Sequence, residues 1–215
     1  MLKSVNKVIR FLILSDVFLL TGIGFESPVF AIFLTQRIQN GSVEVAGFAS
    51  AIYWIINSLA LIPIGRYLDK NHGEKDDLLS VVIGNFLAAL AIFGYFFSHL
   101  AWHIYFLQAL YGFGMAMNVA GYNSIFTRHI DKNREALEWS VRGAWVGVGG
   151  GVAGAVGGWA AFHFGFNFLF SCVIGFIIVS AVLPFFIYKE MSPHDKSEPL
   201  FPEIKTPVQP PAPKE

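Results

Sequence analysis

One cysteine, Cys172, stands in a chain of 215 residues. That excludes a disulfide framework and a cluster of metal-bound thiolates. Charge is scarce as well: 14% of residues are charged, where a soluble domain typically carries about 25%. The formal net charge is zero, so no basic field points to nucleic acid. No HExxH, glycine-rich phosphate loop or nucleophile elbow occurs, and an enzyme reading has no residues to stand on. His99 and His103 lie four apart, but no carboxylate or cysteine keeps helical spacing with them, so neither a metal site nor a cofactor is expected. What the chain does have is apolar mass. Hydrophobic residues make up 54% of it, with 22 phenylalanines.

The apolar residues fall into six runs: Val8 to Phe33, Val45 to Ile64, Leu78 to Phe97, Trp102 to Phe126, Val141 to Phe162, and Phe166 to Tyr188. Each is long enough to cross ~30 Å of hydrocarbon as a helix. The first is too long and too polar for a signal-peptide core and reads as a retained helix. Lys and Arg alternate with the runs. They concentrate before the first run, in the second and fourth loops and in the carboxy-terminal tail; only Arg37 lies in the first loop, and the third and fifth have none. The positive-inside rule then puts both termini in the cytoplasm. The expected architecture is an all-α, six-helix transmembrane domain over residues 1–190 in the plasma membrane. A disordered, proline-rich cytoplasmic tail follows over 191–215.

The most charged stretch is "GRYLDKNHGEKDD", residues 65 to 77, in the second loop. Its bland reading is a solvated connection whose lysines hold topology. Its order says more: Gly65 lets two helices approach, and Asp69 can cap a helix start or pair with Arg. This stretch resembles the signature of the major facilitator superfamily of transporters, a Gly, three residues, an Asp, a basic residue, then Gly and further basic residues. Gly65, Asp69, Lys70, Gly73 and Lys75 match it. One extra residue separates Asp69 from Gly73, and Glu74 stands where a basic residue is usual. The resemblance makes these five residues, with Arg128 of the fourth loop, a gating element.

Two further stretches extend the resemblance, which covers residues 5 to 190. "QALYGFGMA" puts Gln108 where proton-coupled members carry an Arg. "GVGGGVAGAVGG", residues 147 to 158, keeps the glycine run of the fifth helix without its proline. Gly147, Gly151, Gly154 and Gly158 are expected to serve tight helix packing. Family transporters usually have twelve helices in two similar halves, with solute bound between them. This chain resembles one amino-terminal half and the short six-helix members. What the resemblance implies is movement of an unidentified small solute by alternating access, by a homodimer or with a second six-helix half in a hetero-complex. The alternative is a non-transporting component, or an inactive half, packed on a larger membrane partner.

Ionisable groups inside the bilayer are functional candidates by default. Asp16 and Glu26 lie in the first run, about 80° apart around one helix, so both can face an interior surface. Either could bind a proton or a cationic group of a solute; either could instead be satisfied by a neighbouring helix. Asp16 is expected to titrate during transport. In the fourth run Tyr111, Met115, Asn118 and Tyr122 share a face, flanked by Gln108 and Asn123. They read as cavity lining, or as glue between helices. The family pattern places helices one and four on the cavity and three and six on lipid, with Asn85 in the third run as the exception.

Overall fold

A computed structural model describes residues 5–71 and 73–191. The apolar runs become a bundle of α-helices, with no strand among the described residues: α1 (Lys7–Glu26), α2 (Phe30–Arg37), α3 (Val43–Asn71), α4 (Glu74–Gly94), α5 (Ala101–His129) and α6 (Glu135–Val182). Short 3-10 turns, Tyr95–Phe97 and Leu183–Glu190, extend α4 and α6. The tail expected to be disordered lies, from residue 192 on, outside the described residues.

Local chemistry sets the breaks. Asn6 caps α1, its Oδ1 accepting from the Ile9 N–H at 2.9 Å. Its Nδ2 donates to the His129 carbonyl at 2.6 Å, tying the start of α1 to the end of α5. Pro28 has no N–H and separates α1 from α2. In α6 the backbone leaves helical geometry at Gly165, with φ +80° and ψ 172°. Only glycine takes that conformation cheaply, and it divides a 56-residue apolar stretch, Glu135–Glu190, into two rods.

Four stretches are long and apolar enough to cross a membrane: Lys7–Glu26, Val43–Lys70, Glu74–Phe97 and Glu135–Glu190. α5 is 29 residues long but carries Gln108, Asn118 and Asn123 along its length, which dilutes its hydropathy. α1 packs on α6, α4 lies against both α5 and α6, and α3 packs mainly on α5. Close approach of α4 and α5 depends on Gly84 and Gly114. A Cβ on either would run into the other's carbonyl oxygen. In water, apolar association would hold such helices; in lipid, this close backbone contact must do so.

Burial differs sharply between helices. Of the most apolar window of α4, 61% is buried, against 17% for α3, so α4 is central and α3 peripheral. Leu79, Ile83, Phe86, Leu90 and Phe93 form one exposed stripe on α4. Its opposite face is enclosed. The third span, expected to face lipid, thus leaves only this stripe uncovered by the described residues. Asn85 is no exception on a lipid face: it is fully buried on the inner one.

The charges at the helix ends follow the helix dipoles. Glu74, Asp76 and Asp77 fill the first turn of α4, and Glu135 and Glu138 that of α6. Lys70 ends α3, and Arg128 and His129 end α5. Acids at helix starts and bases at helix ends are each favoured by roughly 0.3–1 kcal/mol.

Asn85 also joins four elements in one hydrogen-bonded chain. Its Nδ2 donates to Ser180 Oγ at 3.0 Å, and its Oδ1 accepts from Asn118 Nδ2 at 2.8 Å. Ser15 Oγ donates to the Ser180 carbonyl at 2.8 Å. All four residues are buried. Asn85→Leu would strand the Asn118 amide and remove one partner of Ser180, and is expected to destabilise the bundle by about 1–2 kcal/mol. Asn118→Leu in the same chain should add little more, since both changes break one network. Unfolding in mixed micelles, comparing the single and double variants, measures this; full additivity would contradict it.

Candidate functional site

The polar residues of the bundle separate into three layers. The outermost is a cavity of about 370 Å³ between α1, α3 and α5, whose wall includes Glu26, Tyr53, Trp54, Gln108, Tyr111 and Met115. Ser50 and Gln108 stand seven residues after the starts of α3 and α5, about 10 Å along each helix. Glu26 is 5% exposed, and its Oε2 has no hydrogen-bond partner. The Tyr111 hydroxyl is likewise buried without a partner. The Tyr53 and Tyr111 rings meet at 5.1 Å. Tyr53, Tyr95 and Tyr111 are all within electrostatic reach of the Glu26 carboxylate.

The middle layer is the Ser15–Ser180–Asn85–Asn118 chain. Asn118 thus faces other helices rather than the cavity, and its position matches the gluing reading.

The inner layer holds Asp16. Arg142 Nη2 lies 2.8 Å from Asp16 Oδ2, joining α1 to α6. The guanidinium sits 5.1 Å over the Tyr122 ring and 5.6 Å over the Trp139 ring. Aromatic faces attract such a cation, so two rings and one carboxylate hold it. Arg142 Nε is buried with no hydrogen-bond partner. Among the expected solute residues, then, Glu26, Gln108 and Tyr111 share the outer cavity, while Asp16 and Tyr122 share the Arg142 cluster. Asn123 is exposed. Arg142 enters the sequence reading only as a loop charge; its place seven residues into an amphipathic start of α6 is the signal that could have paired it with Asp16.

Where α3 gives way to α4, the fully buried acid is Asp77 rather than Asp69. Asp77 Oδ2 accepts from Arg128 Nη1 at 2.6 Å and from Ser124 Oγ at 2.9 Å, bridging α4 to α5. His129 Nε2 lies 3.0 Å from Glu74 Oε1 beside it. Lys7 pairs with Glu190 across the bundle. Asp69 and Lys70 are exposed at the end of α3, Gly73 precedes α4, and Lys75 Nζ lies 5.0 Å over the Tyr188 ring. Gly65 has no neighbour within 4 Å of a Cβ built on it, so it brings no helix of this chain close.

The glycine run divides between two faces. Gly157 and Gly149 meet α1, the former at the Phe25 backbone and the latter at the Thr21 side chain. Gly147, Gly151 and Gly158 have open space, and Gly154 has only the Gly24 carbonyl oxygen, at 3.9 Å. Packing within the chain therefore falls on glycines other than the four expected from the run, because the helix turns those four away from α1.

An all-α bundle with apolar helices long enough to span a bilayer and a buried carboxylate in a cavity defines a membrane protein. The family model of the Major Facilitator Superfamily matches residues 14–213. The chain belongs to that superfamily, whose members are membrane transporters and not, in general, enzymes. No curated protein matches it.

Proposed function

We propose that the chain crosses the plasma membrane six times with both termini inside, and moves a small solute by alternating access between two six-helix halves. The observation that carries this is the outer cavity. It is walled on one side by α1, α3 and α5, and Trp54 on its rim is 63% exposed. The wall is largely apolar, but its Glu26 Oε2 and Tyr111 hydroxyl have no hydrogen-bond partner, and an unsatisfied polar group facing lipid costs several kcal/mol. A second half, related by a two-fold axis along the membrane normal, would cover it. The turn at Gly165 supplies the fifth and sixth crossings.

A homodimer needs nothing but this chain. Its second copy would bring the start of α6, near Ser140, to the exposed Asp69–Lys70 end of α3. The helix dipole there favours an acid. With Cys172 changed to Ser, Lys70→Cys and Ser140→Cys in separately tagged copies should crosslink between tags in oxidised membranes. Solute flux into proteoliposomes, with the particle mass measured in nanodiscs, tests the whole. Flux from a proven monomer sinks the paired-halves reading. Stable co-purification with a different membrane protein and no flux of its own favours a non-transporting component instead.

Asp16 is the proton carrier in this reading, set free when Arg142 leaves it. The double variant Asp16→Asn with Arg142→Gln keeps the layer uncharged and should lose pH-dependent flux. Retained wild-type pH dependence removes Asp16 from that role.

A further inference from the structure

We propose that Asp131 and Glu138 share a single proton and so form a pH-sensitive clasp where the start of α1, the end of α5 and the start of α6 meet.

The first observation is the geometry of that junction. α5 and α6 are joined by a tight turn, in which the Arg134 N–H donates to the Asp131 carbonyl at 3.0 Å and Asn133 takes φ +65°. The turn folds Asp131 back over the first turn of α6. There its N–H donates to Glu138 Oε2 at 3.4 Å, and the two carboxyl groups come within hydrogen-bond reach of each other. Asp131 Oδ1 also accepts from Asn6 Nδ2 at 3.1 Å, and the same amide donates to the His129 carbonyl at 2.6 Å. The residue that caps α1 therefore holds both ends of the α5–α6 connection.

The second observation is the enclosure of Glu138. It is 0% exposed, and its Oε1 has no hydrogen-bond partner among the described residues. Two carboxylates in contact repel if both are charged. One proton between them removes the repulsion and supplies the missing donor, and it belongs to the pair rather than to either residue. The surrounding charges do not offset this. Lys132, Arg134 and Glu135 are exposed. From α5 and α4, His129 and Glu74 face each other at 3.0 Å. Arg142, one turn further along α6, is engaged by Asp16. α1 brings Asn6, which does not titrate, and Lys7, which pairs with Glu190. Burial, with the Asp131 carboxyl beside it, pushes the Glu138 carboxyl above its ordinary range, against the lowering pull of the Asp131 N–H and Arg134.

The folded protein thus keeps this proton to higher pH than the unfolded chain does. The stability it contributes is fully present below the ordinary glutamate pKa and is lost as pH rises through the raised one. Above that point the two charges repel, and Asp131 parts from Glu138. Glu138 precedes Arg142 by one turn, and Asn6 opens the helix that bears Asp16. A slackened clasp therefore loosens the end of the α1–α6 interface.

The test is reversible melting of the full-length protein in mixed micelles from about pH 5 to about pH 9, wild type against Glu138→Gln. The Gln amide can donate to Asp131 at every pH, whereas the shared proton does so only at the acid end. The variant should match wild type at the acid end and melt at least about 3 °C above it at the alkaline end. Reading the difference between the two proteins cancels the other titrating groups. Asp131→Asn should behave alike, and it decides the matter if Glu138→Gln fails to fold. Amide hydrogen exchange locates the effect: residues 130–138 should exchange faster in wild type than in the variant at the alkaline end, and equally at the acid end. A melting difference that does not change with pH overturns the proposal. So does a Glu138→Gln variant less stable than wild type throughout, which would mean a charged carboxylate answered by a cation. A pH-dependent melting difference without faster exchange over residues 130–138 overturns the clasp as its source.

Discussion

Asp16→Asn alone is expected to destabilise the bundle by about 2–4 kcal/mol, and adding Arg142→Gln to return most of that loss. Asp16 is 5% exposed and the Arg142 side chain 27%, and the pair meets at 2.8 Å. Removing the carboxylate leaves a guanidinium that cannot shed its proton. Tyr122 and Trp139 hold that guanidinium in place, so it cannot easily swing to water. The cost is mostly that of a stranded charge, not the worth of the pair. A partly exposed Arg142 keeps the loss below what a wholly enclosed guanidinium would give. Arg142→Gln alone should cost less, because a carboxylate can take up a proton where a guanidinium cannot lose one. Reversible unfolding of the four proteins in mixed micelles gives the cycle. Additive losses in the double variant would mean that the two residues act independently.

How much of this could be read in the sequence depends on the period and the contrast of the signal. The six apolar runs are high-contrast, and Gly165 falls between the fifth and the sixth of them; Pro28, by contrast, splits the first run, Val8 to Phe33, into α1 and α2. The family emerges from the Gly65–Lys75 stretch and is shown by the match over residues 14–213. Partners across the bundle are another matter. Asp16 and Arg142 are 126 positions apart, and nothing in either local window names the other. Asn85, in a lipid-facing pattern, faces inward because α4 is central. Local patterning gives a helix's polar residues but not which neighbour they meet. The same limit applies at the loop. Asp69 and Asp77 are both acids beside the turn at Gly73, and only the packing of α4 on α5 decides that Asp77 is the enclosed one, held by Arg128 and Ser124. On α6 small residues occur almost all round the helix, so the sequence carries no periodicity from which the packed face could be chosen.

That ambiguity makes the glycines of α6 a sharp test. Gly157→Val is expected to cost about 3 kcal/mol or to prevent assembly, while Gly151→Val should leave the fold within about 0.5 kcal/mol of wild type. At Gly157 a new Cβ would lie 2.8 Å from Phe25 Cα and 2.9 Å from its carbonyl carbon. These are backbone atoms of α1 and cannot rotate aside, so the two helices must part. Parting them also strains the Asp16–Arg142 and Ser15–Ser180 contacts, which cross the same interface. At Gly151 nothing of this chain lies within 4 Å. The valine there meets lipid, or the second half if one covers that face. The two cases are separable. Melting of the purified variants reads the fold of the single chain, and particle mass in nanodiscs reads assembly. Gly157→Val should lower the melting temperature, and Gly151→Val should not. If Gly151→Val keeps the melting temperature yet halves the particle mass and abolishes flux, the open glycine face belongs to the contact between halves. If it changes none of the three, that face looks onto lipid and the contact lies around α3 and the outer cavity. Equal destabilisation by both variants would contradict the packing of α1 on α6 described above.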